Sequence, residues 1–269
     1  MTLSPLLADY QNLILDLDGT VWVGGVATPG APEAIAAIRA AGKAVVFLTN
    51  GNLSREEYVR TLWSIGCRAA VQEVITAGSA IQHDLAQREP GLRVYVIGGP
   101  PIFRHVIDAG HQIANHTDAA ERADVVVVTA HPELSYSELV PATRALLAGA
   151  GLISGGHDAT YPAEDGLMPG TGAIAAALEY ATGRPAHSVG KPDAQIFAAA
   201  RERLGEGRTL VIGDHLGSDI GGAHGAGLDA ALVLTGVSSR SDTEAAGGQR
   251  PVAIGENLAA LVLCEAGVR

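Results

Sequence analysis

Short apolar runs bounded by turn residues recur along the chain, and between them apolar residues fall at helical spacing. The runs Asn12–Leu17, Ala44–Thr49, Arg93–Ile97, Asp124–Thr129, Gly151–Ser154, Arg208–Gly213 and Asp229–Leu234 read as buried strands. Helix signals separate most of them. Pro32 leads into Ile35 and Ile38, with Gly42 placed to end that helix. Ser54 and Glu57 form a capping-box pattern ahead of Tyr58, Leu62 and Ile65, with Gly66 as the stop; Ser135 and Glu138 repeat it. Pro192 opens a helix carrying Ile196, Phe197 and Leu204, which Gly205 closes. Strands alternating with helices predict an α/β protein with a mostly parallel sheet covered on both faces. Ligands of such sheets bind outside the carboxyl ends of the strands.

The bulk numbers narrow the classes. A length of 269 residues suffices for two domains, and 47% hydrophobic with 17% charged residues fits large buried sheets. The net charge of −11, with no basic run, excludes nucleic acid as a partner. Apolar runs such as Val125–Val128 are too short to span a bilayer, so no membrane partner is expected. Cys67 and Cys264 match no metal spacing, and the start of the chain shows no secretory pattern. The expected compartment is the cytoplasm. The histidines lack paired ligand spacing, which argues against zinc. The glycines between Gly221 and Gly227 follow a helix start and precede a strand, the wrong order for a dinucleotide loop; they read as close packing and a helix stop. Trp22 and Trp63 read as packing residues, and His215 as a surface residue at a cleft rim.

Charge placed at the strand ends changes the picture. Asp16 and Asp18 end an apolar run at i,i+2 spacing, so an extended backbone would put both on one face. At about 4 Å two carboxylates repel by roughly 4 kcal/mol at an effective dielectric near 20, unless a cation lies between them or one is protonated. Thr49-Asn50 and Gly213-Asp214 also follow predicted strands, and Lys191 stands between a glycine and a proline. Taken singly, Thr49 ends a strand, Lys191 is solvated and Asp214 caps a helix beginning near Ser218. Their joint occurrence points elsewhere. The chain has two lysines, Lys43 and Lys191, against sixteen arginines, and a compact ammonium suits a phosphate oxygen and an aspartate together. These groups fit phosphoryl transfer. One Asp attacks phosphorus, the other shuttles the proton, and Asp16 and Asp214 offer carboxylates to Mg²⁺. Thr49, Lys191 and the backbone N–H groups after Asp16 would hold the remaining phosphoryl oxygens.

The four elements Asp16-Leu17-Asp18-Gly19-Thr20, Thr49-Asn50, Gly190-Lys191-Pro192 and Gly213-Asp214 through Asp219 resemble those of the haloacid dehalogenase superfamily. The run Asp16–Gly30, Thr49-Asn50-Gly51-Asn52, Pro169-Gly170-Thr171-Gly172 and Val189-Gly190-Lys191-Pro192 is similar to its subfamily IIA, the NagD-like group of phosphoglycolate and glycerol-phosphate phosphatases. The resemblance implies a Rossmann-like core of residues 1–77 and 185–269 and an inserted α/β (C2-type) cap of residues 78–184, closing over the cleft. It implies Asp16 as nucleophile and Asp18 as general acid/base, the latter also offering its carbonyl to Mg²⁺. Leu17, Thr49, Asn50 and Lys191 would bind the phosphate, Asp214 the metal, and Asp219 would lie behind both the metal and Lys191. The expected substrate is a small phosphorylated metabolite, with glycerol phosphate and phosphoglycolate ahead of sugar phosphates and nucleotides. A homodimer through the cap is compatible with it. In the cap, Ser154-Gly155-Gly156-His157-Asp158 stands where relatives carry Ala-Thr-Asn-x-Asp, leaving His157 and Asp158 as candidates for leaving-group contact. Thr129-Ala130-His131-Pro132 likewise replaces a Gly-x-Asp segment. The competing class is a phospho-Asp signalling or ligand-binding module with little turnover, which lacks both an insert between Thr and Lys and any need of Asp18.

Overall fold

The computed structural model describes residues 2–163, 166–245 and 250–264. Strands β1 (Asn12–Leu15), β2 (Ala44–Thr49) and β3 (Val74–Thr76) begin one sheet. The chain then leaves to build a second from β4 (Arg93–Ile97), β5 (Gln112–Ile113), β6 (Val125–Val128), β7 (Gly151–Ser154) and β8 (His187–Ser188). It returns with β9 (Thr209–Gly213), β10 (Asp229–Val233) and β11 (Ala253–Gly255). The first sheet has the order β11-β10-β9-β1-β2-β3 and the second β8-β7-β6-β4-β5. Every pairing within both sheets is parallel. The fold is α/β, a doubly wound core with a second α/β unit inserted as a cap.

Parallel strands buried on both faces read as unbroken apolar runs, which is why most of them show in the sequence. On one face of the first sheet Leu13, Leu15, Val45, Phe47 and Ile212 pack against Ile35, Ile38, Tyr58 and Leu62. On the other, Ile14, Val46, Leu48 and Val211 pack against Ile196, Phe197 and Ala200. Each Val, Leu, Ile or Phe side chain among them contributes about 1.5–3 kcal/mol when fully buried. The second sheet has its own two cores. Ile81 and Leu85, on the helix Ala77–Ala86, cover one face and Leu146, Ile174 and Leu178 the other.

Several expectations shift. β1 ends at Leu15, because the Leu17 carbonyl accepts the N–H groups of Thr20, Val21 and Trp22 and so folds the chain into a turn. The helix expected from Pro192 begins at Ala194, with the Asp193 carboxylate accepting the Gln195 N–H at 2.8 Å; Pro192 stays in the preceding turn after a cis peptide. Trp63 does not pack in the core. It is 58% exposed, with its indole N–H donating to the Ala69 carbonyl at 2.8 Å. The strand β8 belongs to the second sheet although it lies past the boundary expected at 184. Gly222 does serve close packing, since a Cβ there would lie 2.6 Å from the Phe197 ring. Among the described residues no helix is long and apolar enough to cross a membrane.

Candidate active site

The order of the first sheet reverses between β1 and β9, and at such a point the loops beyond the strands part into a crevice. Register decides what lines it. Leu15 pairs with Ile212 and with Phe47, so the residues just past β1 lie level with Gly213, Asp214 and Thr49. Asp16 and Asp214 therefore meet at the reversal. Only a glycine fits against Asp214 in the turn after β1: Gly19 has φ +92°, and a Cβ on it would lie 2.5 Å from Oδ2 of Asp214.

Lys191 arrives from the segment after β8 and is 3% exposed, inside a ring of equally buried carboxylates. Its Nζ donates to Oδ1 of Asp16 at 2.5 Å and to Oδ1 of Asp219 at 2.7 Å. The second oxygen of Asp219 accepts the His215 N–H at 3.1 Å, so both its oxygens are engaged. Oδ2 of Asp16 is buried without a hydrogen-bond partner. Asp214 does not cap the turn that follows it. The His215 ring does, its Nδ1 accepting the N–H groups of Gly217 and Ser218 at 3.0 and 3.2 Å. Oδ2 of Asp214 accepts the Val237 N–H at 2.7 Å.

Electrostatics follow from this crowding. Burial would push Lys191 down, but the carboxylates of Asp16, Asp219 and Asp158 outweigh it and keep the ammonium charged. Burial raises Asp16, with Lys191 opposing and Asp219 and Asp214 adding to the rise. Burial, then the Asp219 charge, pushes Asp214 up to about 7. One oxygen each from Asp16, Asp214 and Asp219 lies within 4.8 Å of the others. Three buried carboxylates against one ammonium, with an orphaned oxygen on Asp16, suit a small hard cation such as Mg²⁺.

Asp18 is half-buried, and its Oδ1 accepts the indole N–H of Trp22 at 2.8 Å. Burial raises its carboxyl while Trp22 pulls it down. The Thr49 hydroxyl accepts the Gly51 N–H at 2.9 Å, leaving its own proton to give. Leu17 is in the core, so only its backbone can reach a phosphate. Asn50 lines the cleft, and its side chain is engaged by other protein groups. Its amide donates to Asp158 at 2.5 Å and to the Lys191 carbonyl at 2.9 Å, and its Oδ1 accepts the Lys191 N–H at 2.8 Å. That side chain ties the lysine segment to the cap and has nothing left for phosphate.

From the second unit Ala130, Pro132, Asp158 and Tyr161 line the cleft. His157 is exposed and lies outside the lining, so of the two cap candidates the structure brings only Asp158 to the site. His215 does line the cleft. Sequence reasoning missed Tyr58, which lines it and stacks on Trp22 at 6.2 Å. Its helical spacing marked a buried face, and periodicity cannot tell core from cleft wall.

Fold and site together define a metal-assisted phosphoryl-transfer hydrolase. Residues 13–112 match the family model of haloacid dehalogenase-like hydrolases, and residues 188–261 match the HAD-hydrolase-like model. A D-glycerol 3-phosphate phosphatase of Mycobacterium tuberculosis is 34% identical over 255 residues, covering 94% of this chain and 71% of that protein. An acid sugar phosphatase of Staphylococcus aureus is 31% identical over 241 residues, covering 88% and 92%. The crystal structure of the M. tuberculosis glycerol phosphate phosphatase with magnesium superposes with a TM-score of 0.87 at 34% identity, over 96% of this chain and 78% of that one. The chain belongs to the haloacid dehalogenase-like hydrolase family, among its phosphatases.

Proposed function

We propose that this phosphatase is a Mg²⁺-dependent phosphomonoesterase of small organophosphates, glycerol phosphate or phosphoglycolate foremost, working through an aspartyl-phosphate on Asp16. The observation that carries this is the buried set of Asp16, Lys191, Asp214 and Asp219 at the sheet reversal, with one Asp16 oxygen unpartnered. Asp16 attacks phosphorus, and the bond to the leaving oxygen breaks as Asp18 gives that oxygen its proton. Water then attacks the aspartyl-phosphate, returns a proton to Asp18 and frees Asp16. Lys191, the Thr49 hydroxyl and the backbone N–H groups of Leu17 and Asn50 hold the remaining oxygens as charge moves. Asp219 keeps Lys191 in place. Asp16, Asp214 and the Asp18 carbonyl would hold Mg²⁺, which when bound would supply neutralisation of charge on the phosphoryl group.

Residues 1–77 and 185–269 act here as catalytic core and residues 78–184 as cap, with β8 going over to the cap. A cytoplasmic setting is supported by two free cysteines. A homodimer through the cap is supported by exposed Tyr136, Leu147 and Tyr180 on its helices Tyr136–Leu147 and Thr171–Thr182. The test is phosphate release from a panel of phosphomonoesters with and without Mg²⁺. Release is expected to need the cation and to fall on the order of 10³-fold or more in Asp16→Asn. Unchanged turnover in that variant would remove Asp16 as nucleophile; a stable phosphoprotein without turnover would favour the signalling class.

A further inference from the structure

We propose that Trp22 is a positioning residue for Asp18, its indole N–H fixing which carboxyl oxygen carries the proton. The proposal rests on Asp18 as the general acid. The turn after β1 brings the two together: three N–H groups converge on the Leu17 carbonyl, and the Gly19 N–H donates to the Trp22 carbonyl at 2.7 Å. The indole then points back at Oδ1 of Asp18 at 2.8 Å.

The indole is not free to follow the carboxyl. Trp22 is 3% exposed and lies nearly parallel to the Tyr58 ring, at 11° and 6.2 Å between centroids. Tyr58 in turn sits on the helix Arg55–Ser64, whose start is fixed by the Ser54–Glu57 capping box. An indole has one donor and no acceptor, so its bond has one direction. With Oδ1 accepting that N–H, the proton of a neutral Asp18 resides on Oδ2, the oxygen left to serve the leaving group. Packing alone would not need the nitrogen. A phenyl ring would stack on Tyr58 as well.

Two replacements separate donor from shape. Trp22→Phe keeps a stacking ring, and Trp22→3-benzothienylalanine keeps the bicyclic outline, each without the N–H. The readout is kcat/KM, which reports the first chemical step, for phenyl phosphate and for 4-nitrophenyl phosphate with saturating Mg²⁺. The 4-nitrophenolate departs without a proton, whereas phenolate is helped by one. Both variants are expected to lose about tenfold or more on phenyl phosphate and less than about threefold on 4-nitrophenyl phosphate. Equal losses on the two substrates, in a benzothienyl variant with the wild-type circular dichroism spectrum, would overturn the proposal. Asp18→Asn is the reference: if it too treats both substrates alike, the assignment of Asp18 falls first. If Asp18→Asn discriminates and the Trp22 variants do not, only the role of Trp22 falls.

Discussion

The carboxyl of Asp214 stands between two demands. Burial and the Asp219 charge favour its neutral form up to about pH 7, while holding a cation needs it ionised. In the unfolded chain its pKa is near 3.8, so between these values the cation-free fold binds more protons than the unfolded chain. Stability then falls as pH rises through that window, by up to about 4 kcal/mol for a group shifted so far. Asp16 is shifted in the same direction. In urea unfolding with a chelator present, the free energy is expected to decline between about pH 4 and about pH 7. Asp214→Asn should lessen that slope, and Mg²⁺ should flatten it by binding the ionised form. A slope unchanged in Asp214→Asn would mean that other groups supply it.

At the scale of elements, what the sequence reveals is what is local. The capping box before Arg55–Ser64 is visible as Ser54-x-x-Glu57 and is found with both reciprocal bonds, Ser54 N–H to Glu57 at 2.8 Å and Glu57 N–H to the Ser54 hydroxyl at 3.2 Å. Ser54→Ala is expected to cost about 1 kcal/mol, as a lower urea midpoint with an unchanged m-value. No loss would mean that the Glu57 half of the box suffices. Strands such as β2 and β4 are equally legible, because five and four consecutive apolar positions, Ala44–Leu48 and Val94–Ile97, exceed a tight turn. β3, β5, β8 and β11 span only two or three residues and acquire their identity from the neighbour they pair with, which no window of sequence contains. The carboxylates at the site were legible as residue types at strand ends. The Asn50 tie and the His215 cap were not, since each depends on where a distant or sharply turned segment comes to lie.

In the whole molecule the cleft is closed by two units of one chain, and Asn50 spans them by holding Asp158 of the cap and the backbone of Lys191. This places a carboxylate on the cap side of the cleft. Among the described residues lining the cleft Lys191 is the only lysine or arginine, and it is already shared by Asp16 and Asp219. A substrate with a second anionic group on its leaving side would meet Asp158 and no further cation, in a chain of net charge −11. Like charges about 6 Å apart at an effective dielectric near 20 cost about 3 kcal/mol, and solvent in an open cleft lowers that to about 1–2 kcal/mol. Glycerol phosphate is therefore expected to exceed phosphoglycolate by about tenfold in kcat/KM. Asp158→Asn keeps an acceptor for the Asn50 amide while removing the charge. It should narrow the preference, chiefly by lowering KM for phosphoglycolate, and leave glycerol phosphate within about twofold of wild type. A ratio untouched by Asp158→Asn would place the leaving group away from Asp158, against the apolar wall of Pro132 and Tyr161.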